Sequence, residues 1–264
     1  MLSTNLPDVH LERAPLVLAL CQIRFNDVEG LVDRDSAHDL KEWLQPEYPD
    51  LSRQPVPQGV QIQFSPGKDP VAAPAEELDS FTLRNPDHPW EVRLASGVAT
   101  IFATSYTTRD DFMARVSSLR AGLREVVGVP AITRLGIRYV NRVTDEEILD
   151  RLGAYVQAEL LGAALAPIAR DASLVQSLND IVFERDATAV RMRVGLVPPG
   201  VQPDPAVQPA DLPSWICDVD TFDARFQSLD ETVEQRAATL AEDAYQLFRW
   251  AVTDRFLDHF RGDA

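Results

Sequence analysis

Two arginines occupy matching positions in two similar stretches of the sequence. Arg24 lies in the run LCQIRF and Arg138 lies in the run RLGIRY, at a shift of 114 residues. A guanidinium group binds carboxylates and phosphates through paired hydrogen bonds, so two of them could clamp an anionic ligand or the carboxylates of a partner protein. In the alternative interpretation each arginine pairs with an acidic residue of its own half, because the chain holds 41 acidic residues.

Asn141 and Trp90 extend this candidate site. Alternation along a strand puts Tyr139 and Asn141 on one face, where they could form a hydrogen-bonding edge, and Trp90 could hold an aromatic group. The alternative is that Tyr139 is a core residue with a bonded hydroxyl and that Asn141 ends a strand. We take Arg24, Arg138, Asn141 and Trp90 as the candidate residues for binding a ligand or a partner.

The sequence contains no motif that assigns a catalytic residue, a metal ligand or a cofactor. The four histidines have no HxxxH or HxH spacing, and no GxSxG, Walker-type or GxGxxG pattern occurs. Cys21 and Cys217 lie far apart without a CxxC pair, which indicates two buried thiols or an internal disulfide. We therefore predict no catalytic site, no metal and no cofactor. The sequence favours a non-enzymatic protein over a hydrolase or transferase whose site assembles from separated residues.

The charge of the chain narrows the classes of partner. The formal net charge is −16, and acidic residues exceed basic ones in both halves. Such a surface repels nucleic acids and anionic membranes and favours a protein partner with a basic surface. No apolar run approaches the roughly 18 residues that a spanning helix needs, so we expect a cytoplasmic protein that could also form homo-oligomers.

The elements that would position the candidate residues begin with a strand over residues 15–25. Helical spacing predicts a helix from residue 30 to the residue before Pro46. Residues 51–79 are rich in proline and predict a loop that contains one strand, within residues 59–65. An antiparallel meander and a helix capped by Thr108 follow; the predicted strands of the meander are residues 80–84, 90–94 and 98–104.

The second half repeats this order. Alternation predicts a strand over residues 131–143, and a capping box at residues 144–147 opens a helix that reaches Leu160. Three strands follow at residues 174–184, 189–196 and 215–222, with a proline-rich excursion between the last two. The final helix is the longest, over residues 228–260, and the box formed by Ser228 and Glu231 opens it.

These patterns predict an α+β protein with two pseudo-duplicated halves, residues 1–130 and 131–264, packed as one structural unit. Each half runs strand, helix, meander and long helix, with the helices packed on one face of two antiparallel sheets or of one continuous sheet. A pseudo-twofold rotation should relate the strands that hold Arg24 and Arg138. The order of elements resembles the fold of TATA-binding protein in broad outline, a likeness that implies no DNA binding.

Three stretches resemble the landmarks of a sporadically distributed bacterial family without assigned activity. They are residues 11–16 (LERAPL), 135–141 (LGIRYVN) and 247–253 (LFRWAVT), so the resemblance covers nearly the whole chain. The chain departs from the family at Glu242-Asp243-Ala244, where a histidine would be expected. The resemblance therefore implies no shared histidine function. The resemblance implies a patchily inherited accessory protein, of the kind carried in mobile or defence-related gene neighbourhoods, and no known chemistry.

Two functions follow as hypotheses. The first is a non-enzymatic interaction protein, for example one that neutralises a basic toxin or serves as an accessory subunit of a bacterial defence module. The acidity, the absence of a catalytic motif and the resemblance favour it. The second is a protein that binds a small anionic or aromatic ligand between the two halves through Arg24, Arg138, Asn141 and Trp90.

Overall fold

The computed structural model describes residues 6–26, 31–56, 60–63, 71–74, 78–85, 87, 89–165, 172 and 174–262. Its central feature is one continuous antiparallel sheet of nine strands, which confirms the predicted α+β class. In spatial order the strands are β10 (Ser177–Arg185), β11 (Thr188–Val197), β12 (Ser214–Asp223), β9 (Arg134–Val143), β1 (Leu16–Arg24), β7 (Val98–Ala103), β6 (Trp90–Ala95), β5 (Leu78–Arg84) and β2 (Asp50–Val56). Two short ribbons pair β3 (Val60–Gln63) with β4 (Val71–Pro74) and β8 (Ala131–Ile132) with β13 (Gln227–Ser228).

Strands β1 and β9 lie side by side at the centre of the sheet. In their register Gln22 faces Gly136, and Arg24 faces Arg134. Arg24 and Arg138 each follow one residue of the Gln22–Gly136 pair by two positions. Because the strands are antiparallel, the two arginines lie on opposite sides of that pair along the sheet. Outward from this centre the order is β1-β7-β6-β5 on one side and β9-β12-β11-β10 on the other. The halves share one order of neighbouring strands, and their origin by duplication stays a prediction.

The helices pack on one face of the sheet. The two longest are α2 (Arg109–Glu125) and α5 (Thr232–Ala251), and the shorter ones are α1 (Arg34–Trp43), α3 (Glu146–Asp150), α4 (Leu152–Tyr155) and α6 (Asp254–Arg261). Their apolar side chains and the alternate apolar residues of the strands form one buried core, to which both halves contribute. None of these helices is both long and apolar enough to cross a membrane.

Strand β9 explains why the two faces of the sheet differ. Successive side chains of a strand point to opposite faces. Leu135, Ile137 and Tyr139 therefore enter the core beneath the helices, whereas Arg134 and Arg138 reach the opposite face. We call this opposite side the open face. It carries only a small apolar cluster in the described structure, formed by Leu18, Leu20, Val140 and Val207.

Polar side chains set the starts of the helices. Thr108 caps α2 as predicted, because its hydroxyl accepts a hydrogen bond of 3.1 Å from the Asp111 amide. Asp33 caps α1 and accepts from the Ser36 amide at 2.8 Å, while the Ser36 hydroxyl accepts from the Asp33 amide. These two helices therefore begin where a short polar side chain satisfies an otherwise free amide.

The predicted loop over residues 51–79 is wrong in the described part of that range. It contains β2 and β4 in addition to the predicted strand, which is β3. Strand β2 includes Pro55 and lies at the edge of the sheet, with β5 as its neighbour. An edge strand tolerates proline because one of its sides needs no amide donor, so the proline did not prevent pairing.

Two predicted long helices are each divided. The helix predicted to reach Leu160 consists of α3, α4 and two 3-10 turns, and its cap is Asp145, one residue later than expected. The final helix begins at Thr232, and Ser228 belongs to β13. It also breaks at Val252, which is extended and bridges Val156, before Thr253 caps α6. The apolar stripe continues across this break and hides it in the sequence.

Candidate functional site

The structure places the four candidate residues on two different faces of the sheet. Arg24 and Arg138 line the open face. Asn141 and Trp90 are buried on the face that the helices cover, and the Trp90 ring stacks on Phe112 at 5.6 Å between centroids. Even-numbered and odd-numbered positions of β9 point in opposite directions, so Arg138 and Asn141 cannot contact one ligand. Whether either pair binds a ligand stays a prediction.

The open face holds a trough of about 1110 Å³ that crosses the junction of β1 and β9. Phe102 and Phe222 give it aromatic surface on opposite sides of that junction. We call this feature the arginine trough after its charged lining, which comprises Arg24, Arg93, Arg134, Arg138, Arg191 and Arg193 together with Glu91, Asp180, Asp204, Asp218 and Asp220. The trough thus concentrates six guanidinium groups on a protein that is acidic as a whole.

Arg138 is held by carboxylates of its own half, as the alternative interpretation of the sequence expected. Its Nε and Nη2 atoms donate to the two oxygens of Asp218 at 2.7 and 2.8 Å, and Nη1 donates to Asp204 at 3.1 Å. Asp218 is almost fully buried and also receives Arg193 at 2.6 Å. Burial would lower the pKa of Arg138, but Asp218 and Asp204 raise it above its ordinary value. This guanidinium is therefore a fixed part of the trough floor.

Arg134 lies across the middle of the trough. Its Nη2 donates to both oxygens of Asp220, at 2.8 and 3.1 Å, and Nη1 donates to Gln22 at 3.1 Å. A methyl group on Gly136 would come within 2.4 Å of Nη1, so the missing side chain leaves the space that this guanidinium fills. Burial lowers the pKa of Arg134, Asp220 raises it and Arg24 lowers it, with a net decrease. The pKa of Asp220 is raised, first by burial.

Arg24 differs from both neighbours. Its Nε donates to Gln22 at 2.8 Å, and its side chain is exposed. No carboxylate of the described residues lies within ion-pair distance of its guanidinium. Arg93, on the same side of the trough, lies 4.4 Å above the Phe102 ring and 3.4 Å from Glu91. The half of the trough formed by β1, β6 and β7 therefore offers a cationic group that none of the described carboxylates neutralises.

Residues 198–213 cover the other half of the trough, and we call them the cover segment. Asp204 bridges Arg138 and Arg193, and Val207 is buried against Leu18, Leu20 and Val140. Burial would raise the pKa of Asp204, but the Ala206 amide, Arg193 and Arg138 lower it to about 2. The proline-rich excursion predicted from the sequence is thus folded back onto the sheet by Asp204, by Val207 and by the Gln208 carbonyl, which accepts from Arg142 Nη1 at 2.6 Å.

A second cavity of about 410 Å³ lies on the helix-covered side, and we call it the covered pocket. Tyr139 and Asn141 of β9 line it, together with Arg109 at the start of α2 and Tyr245 of α5. The segment before β1 closes it from above, with Val9, His10, Leu11, Glu12 and Ala14 in its lining. Asn141 is therefore in a cavity, although it is not the one that holds Arg24 and Arg138.

Neither cavity contains an activated nucleophile or a metal centre in the described part of the chain. Cys21 and Cys217 are free and fully buried, which decides between the two interpretations of this pair. Burial raises the pKa of Cys21 to about 12 and raises that of Cys217 further, so both are inert thiols at neutral pH. No group of three or more histidines, cysteines or carboxylates could hold a metal ion there.

Comparison of the chain with protein-family models, with curated proteins and with solved structures finds no significant match. The resemblance to a bacterial family, and the defence-related role that it implies, stay predictions.

Sequence reasoning missed most residues of the trough. Arg134 alternates with Arg138 on one strand, and Asp218 alternates with Asp220 on another, so each strand carries a readable pattern of charges. The pairing register, which brings β12 beside β9, is not readable from the sequence. Gly136 was visible as a glycine within a strand, a place where a close approach is expected.

Proposed function

We propose that this protein is a non-catalytic binding protein that holds an anionic ligand with an aromatic or apolar part in the arginine trough. One observation carries the proposal: Arg24 lies in a large concave cavity, exposed and without a carboxylate partner among the described residues. An unpaired guanidinium in a partly apolar cleft is suited to a carboxylate or a phosphate group. Phe102 lies on the same side and suits the apolar part of the ligand.

The trough attracts anions locally although the whole chain is acidic. Its most deeply placed carboxylate, Asp218, is engaged by Arg138 and Arg193. Arg24 is exposed, and the side chains of Arg93 and Arg191 are 55% and 49% exposed, although Asp180 beside Arg191 is 43% exposed. Long-range repulsion by the net charge is screened beyond about 8 Å at physiological ionic strength. A small anion therefore responds to the arginines, whereas a long polyanion meets the acidic remainder of the surface.

The test is a titration followed by calorimetry and by saturation-transfer NMR. Benzoate and phenyl phosphate are the anionic probes, and benzyl alcohol and benzylammonium are the neutral and cationic ones. We expect an anionic probe to bind at least tenfold more tightly than benzyl alcohol, and we expect Arg24→Gln to remove this preference. Arg255→Gln is the matched control, because Arg255 is about half exposed and lies over the Tyr155 ring, away from the trough.

Two results would overturn the proposal. One is that no anionic probe binds at millimolar concentration to the wild-type protein. The other is that Arg24→Gln and Arg255→Gln bind the anionic probes equally well, since the attraction would then come from general surface charge.

A second candidate is the interaction protein predicted from the sequence, and the edge strand β10 favours it. Strand β10 has β11 as its only neighbour in the described sheet. Val182 and Phe183 are 54% and 53% exposed on its two faces. A nine-residue edge strand with exposed apolar side chains is suited to the addition of a strand from a partner. The net charge of −16 favours a basic partner, such as a toxin that the protein would neutralise.

Co-expression with the products of neighbouring genes tests this second candidate. We expect one product to co-purify at a fixed stoichiometry and Val182→Lys to release it, because a charge on an edge strand opposes strand addition. Val175→Lys is the control, since Val175 is also exposed but precedes β10. Equal release by both variants, or no fixed stoichiometry with any product, would exclude β10 as the docking edge.

A further inference from the structure

The covered pocket is a second cavity, independent of the arginine trough and on the other side of the sheet. Its volume of about 410 Å³ is within the range of small-molecule sites. Aromatic walls are formed by Tyr106, Tyr245 and Phe248, and the hydroxyls of Thr104 and Ser105 lie at one side. This mixture of flat apolar walls with a few polar groups is typical of sites that bind small planar molecules.

Two polar side chains lie at the floor of the pocket. Asn141 is 5% exposed, and its side chain lines the cavity. The Tyr139 hydroxyl is buried, and no described group meets normal hydrogen-bonding geometry with it. The pKa of Tyr139 is raised well above its ordinary value, first by burial and then by the Tyr106 hydroxyl, so it stays protonated. A buried phenol without a partner costs stability unless a ligand or water satisfies it.

The arginine at the edge of the pocket is already paired, and the other residues of the lining with acidic or basic side chains, His10 and Glu12, are exposed to solvent. Arg109, at its edge, forms a close ion pair with Glu242, and Asp8 lies 4.0 Å away. Its guanidinium also lies 5.2 Å from the centre of the Tyr245 ring. Burial would lower the pKa of Arg109, but Glu242 raises it above its ordinary value. A ligand with a net charge would bring an unpaired charge into this setting, which is costly, so a neutral ligand is favoured.

The segment of residues 6–14, which we call the strap, gives the pocket a removable roof. Gln246 accepts a hydrogen bond from the Leu6 amide at 2.9 Å and donates to the Leu6 carbonyl at 3.0 Å. The Val9 amide donates to the Tyr245 hydroxyl at 2.8 Å. The Arg13 amide and guanidinium also donate to the Phe260 and His259 carbonyls of α6, at 3.1 and 2.6 Å. These bonds attach the strap to α5 and α6 without a strand of the sheet, so a ligand can enter when the bonds to α5 open.

We propose that the covered pocket binds a neutral planar heterocycle of the nucleobase type, held by Asn141 and Tyr139 and stacked between aromatic side chains. An asparagine amide pairs a donor and an acceptor with the edge of a base, as it does with adenine in nucleic-acid recognition. Stacking of a base on an aromatic side chain adds about 1–3 kcal/mol. The floor of the pocket supplies the hydrogen bonds to the edge of the base, and its aromatic walls supply the stacking.

The experiment measures binding of free bases and nucleosides by saturation-transfer NMR and calorimetry. Adenine, cytosine, adenosine and uridine are the probes. Ribose, which has no base, and benzene sulfonamide, whose ring has no nitrogens, are the negative controls. We expect at least one base or nucleoside to bind saturably, and AMP to bind no more tightly than adenosine. Asn141→Asp, which keeps the shape of the side chain, should weaken binding at least tenfold. Tyr139→Phe should weaken it several-fold.

Arg24→Gln serves as the matched control, because it alters the open face and should leave binding of the bases unchanged. Circular dichroism and the unfolding midpoint check that each variant folds, and Asn141→Leu gives a second variant if Asn141→Asp does not. Absence of saturable binding by every base and nucleoside overturns the proposal. Equal binding by the wild-type protein and Asn141→Asp also overturns it, whatever the outcome of the titrations that test the arginine trough.

Discussion

The two halves of the open face share their strand order but differ in what covers them. In the second half, the cover segment joins β11 to β12 and folds back over the arginines. In the first half, a turn at Ser96 and Gly97 joins the corresponding strands β6 and β7 directly. Arg138 has two carboxylate partners, Asp204 from the cover segment and Asp218 from β12, while Arg24 has none among the described residues. The connection and the neighbouring strand together determine whether an arginine at a matching position is paired within its own half.

The difference also separates two kinds of electrostatic interaction. The Arg138–Asp218 pair is nearly dry, with side-chain exposures of 11% and 3%, so losing one partner leaves a buried charge. Arg24 is in water and contributes little to stability whatever lies beside it. Stability and binding are therefore expected to depend on different arginines of one sheet, and the following changes test that expectation.

Arg138→Ala should have the largest effect on stability. It leaves Asp218 with Arg193 as its remaining ion-pair partner and opens a space beneath the cover segment. Breaking a buried pair on one side costs about 3–5 kcal/mol, and chemical denaturation measures this loss. The double variant Arg138→Met with Asp218→Leu removes both charges and should recover most of the stability, because no charge is then left unpaired. Equal losses in the single and double variants would show that packing, and not charge, holds this half of the trough.

Gly136→Ala should have the next largest effect, at the boundary between the halves. The added methyl group would approach Nη1 of Arg134 to 2.4 Å, so the guanidinium must leave its position between Asp220 and Gln22. Overpacking of this kind costs about 1–3 kcal/mol. In an Arg134→Ala background the same glycine change should cost much less, since the obstructing group is gone. A cost that is equal in both backgrounds would place the strain in the backbone of β9.

Asp204→Asn tests the attachment of the cover segment through its pH dependence. The pKa of Asp204 in the folded protein is about 2, below the ordinary value of 3.8. A carboxylate with a lowered pKa adds stability above its unfolded pKa, and that stability is lost as the pH falls from about 4 to 2. Unfolding measured from pH 6 to pH 2 should show the wild-type protein losing about 1–2 kcal/mol more than Asp204→Asn. Asp211→Asn, an exposed position in the same segment, should follow the wild-type curve.

Most strands could be predicted from the sequence because alternation and turn residues are local signals. The central strand β1 and the meander β5-β6-β7 lie within two residues of their predicted bounds, and β9 begins three residues later than predicted, because Ala131–Ile132 forms the separate strand β8. The errors occur where tertiary contacts outweigh local pattern. Pro55 argues against a strand, but β2 needs only one hydrogen-bonded neighbour. The final helix is divided because Val252 pairs with Val156, a contact between distant residues that no local periodicity encodes.

The candidate site was less predictable than the fold. Arg24 and Arg138 could be identified from a shared strand pattern, and both line the trough. The sequence hypothesis placed Asn141 and Trp90 in the same site as these arginines, although strand alternation puts Asn141 and Arg138 on opposite faces of the sheet. The pairing of Arg138 with Asp204 depends on a long connection folding back across the sheet. Such a contact has no periodic signal, since it joins a strand to a connection that contains no helix or strand.

Arg24→Ala should have the smallest effect on stability, although Arg24 occupies the position that matches Arg138. Its hydrogen bond to Gln22 is exposed, and a surface contact of this kind contributes about 0–0.5 kcal/mol. Chemical denaturation should therefore give an unfolding free energy and a denaturant dependence that are both unchanged within error. Arg134 loses a neighbouring positive charge in this variant, so its pairing with Asp220 should be slightly strengthened. A loss above about 1 kcal/mol would mean that Arg24 has a structural role, and the contrast between the two halves of the open face would then fail.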